Sequence, residues 1–191
     1  MPVVRDVTLG LLAGGRATRL GGTDKAWLLR NAVPQVVRLA RRFTPEVDAI
    51  LVSANRDATR YESSGLAVVA DRITDIGPLG GLDALASACA TRWLLTLPVD
   101  LVSVNDCLLP SLAAVGGQGA YAVDDDGVQP LVALWPVAAL RAALPPALAS
   151  NDRSVQRLQA QLTMASVRLA GVRFGNLNTP ADLVAAGMDP R

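Results

Sequence analysis

A glycine-rich segment that ends in a lysine, residues 14–25, directly follows the apolar run of residues 7–13. The segment holds four glycines, two arginines and Lys25, which is the only lysine among 18 basic residues. Glycines in a turn after a strand expose backbone N–H groups to an anion, and a lysine ammonium adds a compact positive charge. The segment is therefore predicted to bind a polyphosphate. The alternative is a surface turn with a solvated lysine.

Two familiar phosphate-binding patterns are not met. The Gly-x-x-x-x-Gly-Lys-Ser/Thr pattern is absent because Lys25 follows Asp24 instead of a glycine, so a P-loop kinase or ATPase is not supported. Residues 117–122 fit a loosened Gly-x-Gly-x-x-Ala form of the dinucleotide fingerprint, but they do not lie between a first strand and a helix. We interpret them as the start of a strand.

The absence of histidine limits the chemistry available to this chain. It excludes Ser-His-Asp and Cys-His catalysis, histidine acid–base catalysis and histidine metal ligation. Carboxylates, lysine, arginine and hydrogen-bonding groups remain. Phosphoryl and nucleotidyl transfer need little more, because positioning, a divalent metal and electrostatic stabilisation supply most of the catalysis.

Composition predicts one globular domain over residues 1–191. The chain is 51% hydrophobic and 18% charged, which suits one substantial core. Its net charge of +1 gives no long-range attraction to nucleic acid or to membranes. Cys89 and Cys107 show neither zinc-site spacing nor a disulfide framework, and no signal-like or membrane-spanning segment is apparent. We expect a cytoplasmic, monomeric protein.

Short apolar runs alternate with helical patterns along the chain. Strands are predicted at residues 7–13, 48–53, 66–70, 93–97, 121–123, 131–135 and 163–168. Helices are predicted from residue 34, at residues 57–63, 82–90, 106–114, 138–148 and 154–162, and from residue 180. This alternation favours a three-layer α/β fold, with a mostly parallel mixed sheet and helices on both faces.

Two aspartates follow predicted strands on the rim where α/β sheets bind ligands, beyond the carboxyl ends of the strands. Asp100 is a candidate Mg²⁺ ligand, since Mg²⁺ takes one or two carboxylates and completes its shell with water and phosphate oxygens. Its alternative role is to cap the following helix or turn. Asp71 is a candidate acceptor for the donors of a base or of a ribose, or else a turn residue.

The remaining polar clusters are weaker candidates. Residues 124–126 are three aspartates followed by a glycine between two strands, so we expect a solvated hairpin turn instead of a metal site. Asn176 and Asn178 alternate, so in an extended segment both lie on one face. They are candidates for hydrogen bonds to a polar heterocycle or a phosphate, or are loop residues before a helix that begins near Pro180.

Four blocks of the sequence look like the ordered motifs of the molybdenum cofactor guanylyltransferases. They are Leu-Ala-Gly-Gly-x-x-x-Arg-Leu-Gly-Gly-x-Asp-Lys at residues 12–25, Gly-Pro-Leu-Gly-Gly at 77–81, Pro-Val-Asp at 98–100 and Asn-Leu-Asn-Thr-Pro at 176–180. The match runs nearly end to end. The first block is shared with the wider nucleotidyltransferase superfamily, whereas the second and fourth blocks narrow the resemblance to this family.

The resemblance implies a Rossmann-like nucleotidyltransferase fold and a definite reaction. Mo-molybdopterin and GTP would give the guanine dinucleotide cofactor and pyrophosphate, with Mg²⁺. Lys25 and Arg19 would neutralise the triphosphate and Asp100 would hold the metal, so these three are the candidate catalytic residues. Candidate nucleotide-binding residues are Leu12, Ala13, Gly14, Gly15, Gly22, Lys25, Ser53, Asn55, Asp71, Gly77, Gly81, Asn176 and Asn178.

The chain departs from the family pattern in three places. Ser53 stands where the family commonly has asparagine at the end of the second strand, with Asn55 two residues further on. Residues 30–34 replace the familiar Asn-Gly-Lys-Pro-Leu, and residues 99 and 101–102 replace the usual cysteine and proline around the metal aspartate. Asp100 itself is retained, so transfer chemistry is expected, and the departures concern recognition of the base and of the pterin.

Two alternatives stay open at this point. One is another nucleotidyltransferase of the superfamily, such as a cytidylyltransferase acting on molybdopterin or on a sugar or alcohol phosphate. Those enzymes are expected to begin the loop with Leu-Ala-Ala-Gly, whereas this chain has Leu-Ala-Gly-Gly at residues 12–15. The other is a non-catalytic nucleotide-binding relative, which the retention of Lys25 and Asp100 argues against. Expected partners are GTP, the molybdopterin cofactor, and molybdenum cofactor insertion or carrier proteins.

Overall fold

The computed structural model of the chain describes residues 6–14, 24–73, 75–150 and 152–189. The strands in this part are β1 (Val7–Leu12), β2 (Leu29–Arg30), β3 (Val33–Pro34), β4 (Ala49–Ser53), β5 (Ala67–Val69), β6 (Trp93–Pro98), β7 (Ala120–Asp124), β8 (Gly127–Pro136) and β9 (Ala165–Arg168). The helices are α1 (Gln35–Phe43), α2 (Ala58–Ser63), α3 (Pro78–Ala88), α4 (Leu108–Ala113), α5 (Val137–Ala149), α6 (Val155–Gln161) and α7 (Pro180–Ala185), with a 3₁₀ turn at Lys25–Trp27.

Seven of these strands form one mixed sheet in the order β5-β4-β1-β6-β8-β7-β9. β1 pairs in parallel with β4 and β6, and the pairs β4–β5 and β7–β9 are also parallel. β8 runs antiparallel to both β6 and β7. The predicted mostly parallel mixed sheet is thus confirmed, and so is the hairpin that supplies its antiparallel part.

Helices cover both faces of the sheet because successive strand residues point to opposite sides. On β6, Leu94 packs in an apolar cluster with α3 and α5, whereas Leu95 packs in a second cluster with α1 and α4. Both leucines are fully buried. Burying a leucine side chain contributes about 1.5–3 kcal/mol. The predicted three-layer arrangement is therefore also confirmed.

The carboxyl ends of the central strands lie level with one another. Leu12, the last residue of β1, pairs with Ser53 of β4 on one side and with Pro98 of β6 on the other. The chain segments that follow these strands therefore leave the sheet along the same rim. This is the rim on which the sequence placed the candidate site.

The helix predicted at residues 82–90 begins four residues earlier in the structure, since α3 starts at Pro78 and so includes most of residues 77–81. Gly81 faces the sheet there, and a Cβ atom on it would lie 2.8 Å from both Leu12 Cδ2 and Ser53 Oγ. Glycine is thus required for the first turn of α3 to pack directly on the ends of β1 and β4.

A second difference is the small hairpin of β2 and β3, which the sequence did not predict. Its turn residues Asn31 and Ala32 have φ values of 53° and 59°. Residues 117–122 lead into β7, so their interpretation as the start of a strand is confirmed. No helix in the described residues is long and apolar enough to cross a membrane.

Candidate active site

A cavity of about 420 Å³ opens on the rim at the carboxyl ends of β1, β4 and β6. The predicted residues that line it are Leu12, Ala13, Gly14, Lys25, Ser53, Asp71, Gly77, Gly81, Asp100, Asn176 and Asn178. Residues that were not among the candidate site residues also line it: Asp24, Pro78, Pro98, Val99, Gln129, Pro130, Leu131 and Val132. The predicted residues Gly15, Arg19 and Gly22 lie outside the described part of the chain.

Lys25 lines this cavity and belongs to a short 3₁₀ turn. Asp24 caps the 3₁₀ turn, since its Oδ1 accepts a hydrogen bond of 2.9 Å from the N–H of Ala26. The Nζ of Lys25 donates to Asp100 Oδ2 at 2.9 Å and to Asn178 Oδ1 at 2.7 Å. Three residues from distant parts of the sequence thus meet at one ammonium group.

The 3₁₀ turn of Lys25 is also packed against α2 through the ring of Trp27. The ring of Trp27 lies 4.8 Å from that of Tyr61, and the guanidinium of Arg60 lies 4.0 Å from the centre of the Trp27 ring. Burial raises the pKa of the Tyr61 hydroxyl above its usual value, and the nearby carboxylate of Asp24 raises it further. Tyr61 therefore remains a neutral phenol and acts in packing.

Asp100 lies just beyond β6, next to the segment of the two asparagines. The carbonyl of Asp100 accepts a hydrogen bond of 2.9 Å from the N–H of Leu177, and Leu101 forms an antiparallel bridge with Asn176. The asparagine segment is therefore fixed beside the candidate metal ligand. Asn176 and Asn178 both line the cavity, as expected for residues that alternate along an extended segment.

The oxygen donors at this position suit Mg²⁺. The side chain of Asp100 is 22% exposed and presents a carboxylate to the cavity, with the amide of Asn178 close to the same lysine. Among the described residues, no group of three or more His, Cys, Asp or Glu is placed to hold a metal ion. A metal here would be shared with phosphate oxygens, which is the usual manner of binding for Mg²⁺.

The helix that follows the asparagines fixes Asn178. Asp182 Oδ2 accepts hydrogen bonds from the N–H of Asn178 at 3.0 Å and from the N–H of Thr179 at 2.7 Å. The Thr179 side chain accepts in turn from the N–H of Asp182, which completes a capping box at the start of α7. Hydrogen bonds from Thr179 and Asn178 lower the pKa of Asp182, so its carboxylate stays ionised.

Asp71 lines a different part of the cavity from Lys25 and Asp100. Its carboxylate is held by Ser53, the last residue of β4, and by Asn55 in the following loop. Asp71 Oδ1 accepts a hydrogen bond of 3.1 Å from Ser53 Oγ, and Asp71 Oδ2 accepts one of 3.0 Å from Asn55 Nδ2. Asn55 Oδ1 accepts from the N–H of Asp71 at 2.8 Å. Each carboxylate oxygen keeps a further lone pair for a ligand. Ser53 and Asn55 therefore orient Asp71 and leave its acceptors usable.

One ion pair near Asp71 escaped the sequence analysis. Arg72 Nε and Nη2 donate to the two oxygens of Asp83 at 2.8 and 2.7 Å. Asp83 is a buried carboxylate within α3, only 4% exposed. This bidentate pair ties the segment after Asp71 to α3. The signal for such a pair in the sequence is a single aspartate within an otherwise apolar helix.

The expectation of a solvated turn at residues 124–126 is wrong for Asp124. Its side chain is fully buried and accepts hydrogen bonds from Gln129 Nε2 and from the N–H groups of Asp126, Gly127 and Phe174. Asp125 and Asp126 make ion pairs with Arg168 and Arg173. None of the three aspartates lines the cavity. Asp124 is therefore a structural carboxylate that anchors the segment before the asparagines.

Comparisons with known proteins agree with this geometry. A family model described as the MobA-like NTP transferase domain matches residues 10–167. A molybdenum cofactor guanylyltransferase from Cupriavidus taiwanensis is 36% identical over 191 residues, covering 94% of this chain and 96% of that protein. Another from Yersinia pseudotuberculosis is 35% identical over 182 residues, covering 93% of each.

A solved structure shares the fold. The molybdopterin-guanine dinucleotide biosynthesis protein A from Archaeoglobus fulgidus superposes with a TM-score of 0.72 at 18% identity, covering 94% of this chain and 96% of that one. The resemblance drawn from the four sequence blocks is thus confirmed. The chain belongs to the MobA-like NTP transferase family of nucleotidyltransferase enzymes.

Proposed function

We propose that this protein transfers GMP from GTP to Mo-molybdopterin, giving the guanine dinucleotide cofactor and pyrophosphate in a Mg²⁺-dependent reaction. The observation that carries the proposal is one cavity with two chemically different walls. Lys25 and Asp100 meet on one wall and Asp71 is presented on the other. The relatives named molybdenum cofactor guanylyltransferase support the choice of substrates.

The phosphates of GTP belong on the wall of Lys25. The cavity there is lined by Ala13 and Gly14 at the end of β1, where the described part of the glycine-rich segment begins. A lysine ammonium has three N–H donors, of which two are directed to Asp100 and Asn178. Lys25 therefore keeps a donor for a phosphate oxygen while remaining fixed. Gly15, Arg19 and Gly22 are proposed to add backbone and guanidinium donors to the same phosphates.

The guanine base belongs on the wall of Asp71. Guanine presents N1–H and an exocyclic amine as adjacent donors, which match a carboxylate held in a fixed orientation. Ser53 and Asn55 supply that orientation. At the start of α3, Gly77 adds no side chain to this part of the cavity, and Gly81 lets the helix pack closely against Ser53. Adenine would place an amine where guanine has O6 and would leave partners unpaired, so GTP is favoured.

No general base is required, because the attacking terminal phosphate oxygen of the pterin cofactor is already an anion. This oxygen forms a bond with the α-phosphorus of GTP, while the bond from that phosphorus to the bridging oxygen breaks and pyrophosphate leaves. Mg²⁺ bound to Asp100 and to phosphate oxygens would neutralise part of the triphosphate charge. Lys25 stabilises the charge that develops on the pyrophosphate.

The pterin cofactor is proposed to occupy the side of the cavity formed by Gln129 and Pro130 of β8, near Asn176. In the sheet, β8 is separated from β1 by β6, so an acceptor there would bind on the other side of Asp100 from Ala13 and Gly14. The product is a cofactor that other proteins must take up. Molybdenum cofactor insertion or carrier proteins are therefore the proposed partners.

A nucleotide panel tests the proposal. Purified protein, Mo-molybdopterin and Mg²⁺ are incubated with GTP, CTP or ATP, and pyrophosphate release is measured together with the dinucleotide product. We expect turnover with GTP. Turnover with CTP alone would assign a cytidylyltransferase, and binding of GTP without pyrophosphate release would assign a non-catalytic relative.

A further inference from the structure

The backbone that carries Asp100 is held by side chains of α1. Gln35 Nε2 donates a hydrogen bond of 2.6 Å to the carbonyl of Leu101. Arg38 Nη2 donates to the carbonyl of Val102 at 3.0 Å and, at 3.4 Å, to that of Leu101. The two residues directly after Asp100 thus have both carbonyl groups bound by α1.

Gln35 is an uncharged polar residue whose side chain is fully buried. Burying an amide is unfavourable unless its hydrogen bonds are made. Here both ends are satisfied, since Nε2 donates to Leu101 and Oε1 accepts from Arg38 Nε at 3.0 Å. Gln35 and Arg38 are therefore hydrogen-bonded to each other, and both donate to the loop after β6.

The same glutamine also contacts the segment of Lys25. Its backbone N–H donates to the carbonyl of Leu28 at 2.9 Å, directly after the 3₁₀ turn. Gln35 is thus hydrogen-bonded to the segment of Lys25 through its main chain and to the segment of Asp100 through its side chain. Gln35 therefore links the two chain segments that carry these charged groups.

The other side of the loop is held as well. The N–H groups of Val102 and Ser103 donate to the carbonyl of Phe174 at 3.1 and 3.0 Å. Residues 101–103 are therefore fixed between α1 and the segment that leads to the asparagines. If the α1 contacts were lost, this second side would still hold residues 102 and 103 but not the two carbonyl groups that α1 binds.

We propose that Gln35 and Arg38 are positioning residues, which hold the carboxylate of Asp100 in the orientation that binds Mg²⁺ together with the triphosphate. The proposal rests on the proposed function, since it concerns the metal site of that reaction. Neither residue lines the cavity. Their effect is therefore expected on metal binding and not on contacts with the base or the phosphates.

The experiment compares the wild-type protein with Gln35→Met and Arg38→Met. Methionine is long and flexible and donates no hydrogen bond, so each variant removes the contacts with little loss of volume. GTP affinity is measured by calorimetry in EDTA and at increasing Mg²⁺ concentrations. Mn²⁺ bound in the presence of GTP is measured by electron paramagnetic resonance, and pyrophosphate release is measured across the same Mg²⁺ range.

We expect both variants to bind GTP in EDTA as the wild type does. The Mg²⁺ concentration that gives half-maximal pyrophosphate release should rise about 10-fold to 100-fold. Removing partners that orient a metal ligand typically lowers metal affinity by that factor. Saturating Mg²⁺ should restore kcat. A merely structural role would instead lower kcat at every Mg²⁺ concentration and weaken GTP binding in EDTA.

Arg141→Met is the matched control. Arg141 Nε donates to the carbonyl of Ala86 at 2.7 Å and its Nη2 to that of Cys89 at 2.5 Å, at the end of α3 remote from the cavity. The control removes the same kind of contact and should keep the wild-type Mg²⁺ dependence.

Wild-type Mg²⁺ dependence in both variants would overturn the positioning role and leave the proposed function standing. A wild-type protein whose GTP binding does not respond to Mg²⁺ would overturn the metal site, and this inference with it. If Gln35→Met does not fold, Arg38→Met decides by the same criteria, since Arg38 is partly exposed.

Discussion

Lys25 Nζ lies 2.9 Å from Asp100 Oδ2, across 75 residues of sequence. Both side chains are 22% exposed and line the cavity, so the pair can be reached by a ligand. Its importance lies in position. The pair brings the proposed phosphate ligand and the proposed metal ligand to the same point of the rim before any nucleotide is bound.

Replacement of Lys25 tests whether catalysis requires a compact ammonium group at this position. We expect Lys25→Ala to lower kcat by about 100-fold to 1,000-fold, the usual effect of removing a preorganised electrostatic group. Lys25→Arg should also fail, because a planar guanidinium cannot keep the geometry to both Asp100 and Asn178. Initial rates of pyrophosphate release provide the measurement. Arg157→Ala removes an exposed ion pair with Asp152 and serves as the control. Full activity in Lys25→Arg would show that a compact ammonium is not needed.

Replacement of Asp100 tests the metal site. We expect Asp100→Asn to lose Mg²⁺-dependent transfer while still binding GTP in EDTA, because the amide fills the same space without the charge that holds the metal. Asp126→Asn is the control, since Asp126 makes an exposed ion pair with Arg173. Loss of activity in the control with activity retained in Asp100→Asn would place the metal elsewhere.

Replacement of Asn55 tests whether a fixed Asp71 carboxylate selects the guanine base of GTP. Asn55 makes two hydrogen bonds with Asp71, through both ends of its amide. We expect Asn55→Ala to release the Asp71 carboxylate and weaken GTP binding by about 1–3 kcal/mol, while ATP and CTP binding changes little. Thermal shifts with the three nucleotides at matched concentrations give the comparison. Equal shifts from all three in the wild type would remove the guanylyl assignment and leave nucleotidyl transfer in place.

The fold and most of the residues that line the cavity could be predicted from the sequence. Apolar runs and helical periodicity located the strands and helices, and the rule that ligands bind beyond strand ends placed Ser53, Asp71 and Asp100 on one rim. The contact of Lys25 with Asn178 was not predicted, because the two residues are 153 positions apart. Local patterns do not report how the last segment of the chain packs on the first.

Asp124 shows how a strong turn signal was misleading. Three aspartates before a glycine are typical of a solvated hairpin. The alternation of buried Ala120 and Ala122 on β7, however, continues to Asp124 and turns its side chain inward.

The hydrogen bonds from Gln35 and Arg38 to the loop after β6 could not be predicted for a different reason. They depend on the position of α1 relative to the loop after β6, which helical periodicity does not specify.

The buried carboxylate of Asp124 predicts a pH-dependent stability. Burial alone raises its pKa, but hydrogen bonds from Phe174, Gln129 and the turn amides outweigh burial and hold the pKa below its usual value. A lowered folded-state pKa stabilises the protein above the unfolded-state value of about 3.9, and this contribution is lost as the pH falls through the folded-state pKa. We expect Asp124→Asn to lower the free energy of unfolding by about 2–3 kcal/mol at pH 7, and by much less in strong acid. Urea unfolding of wild type and variant at pH 7 and pH 3 measures both values, and an equal difference at the two pH values would contradict an ionised Asp124.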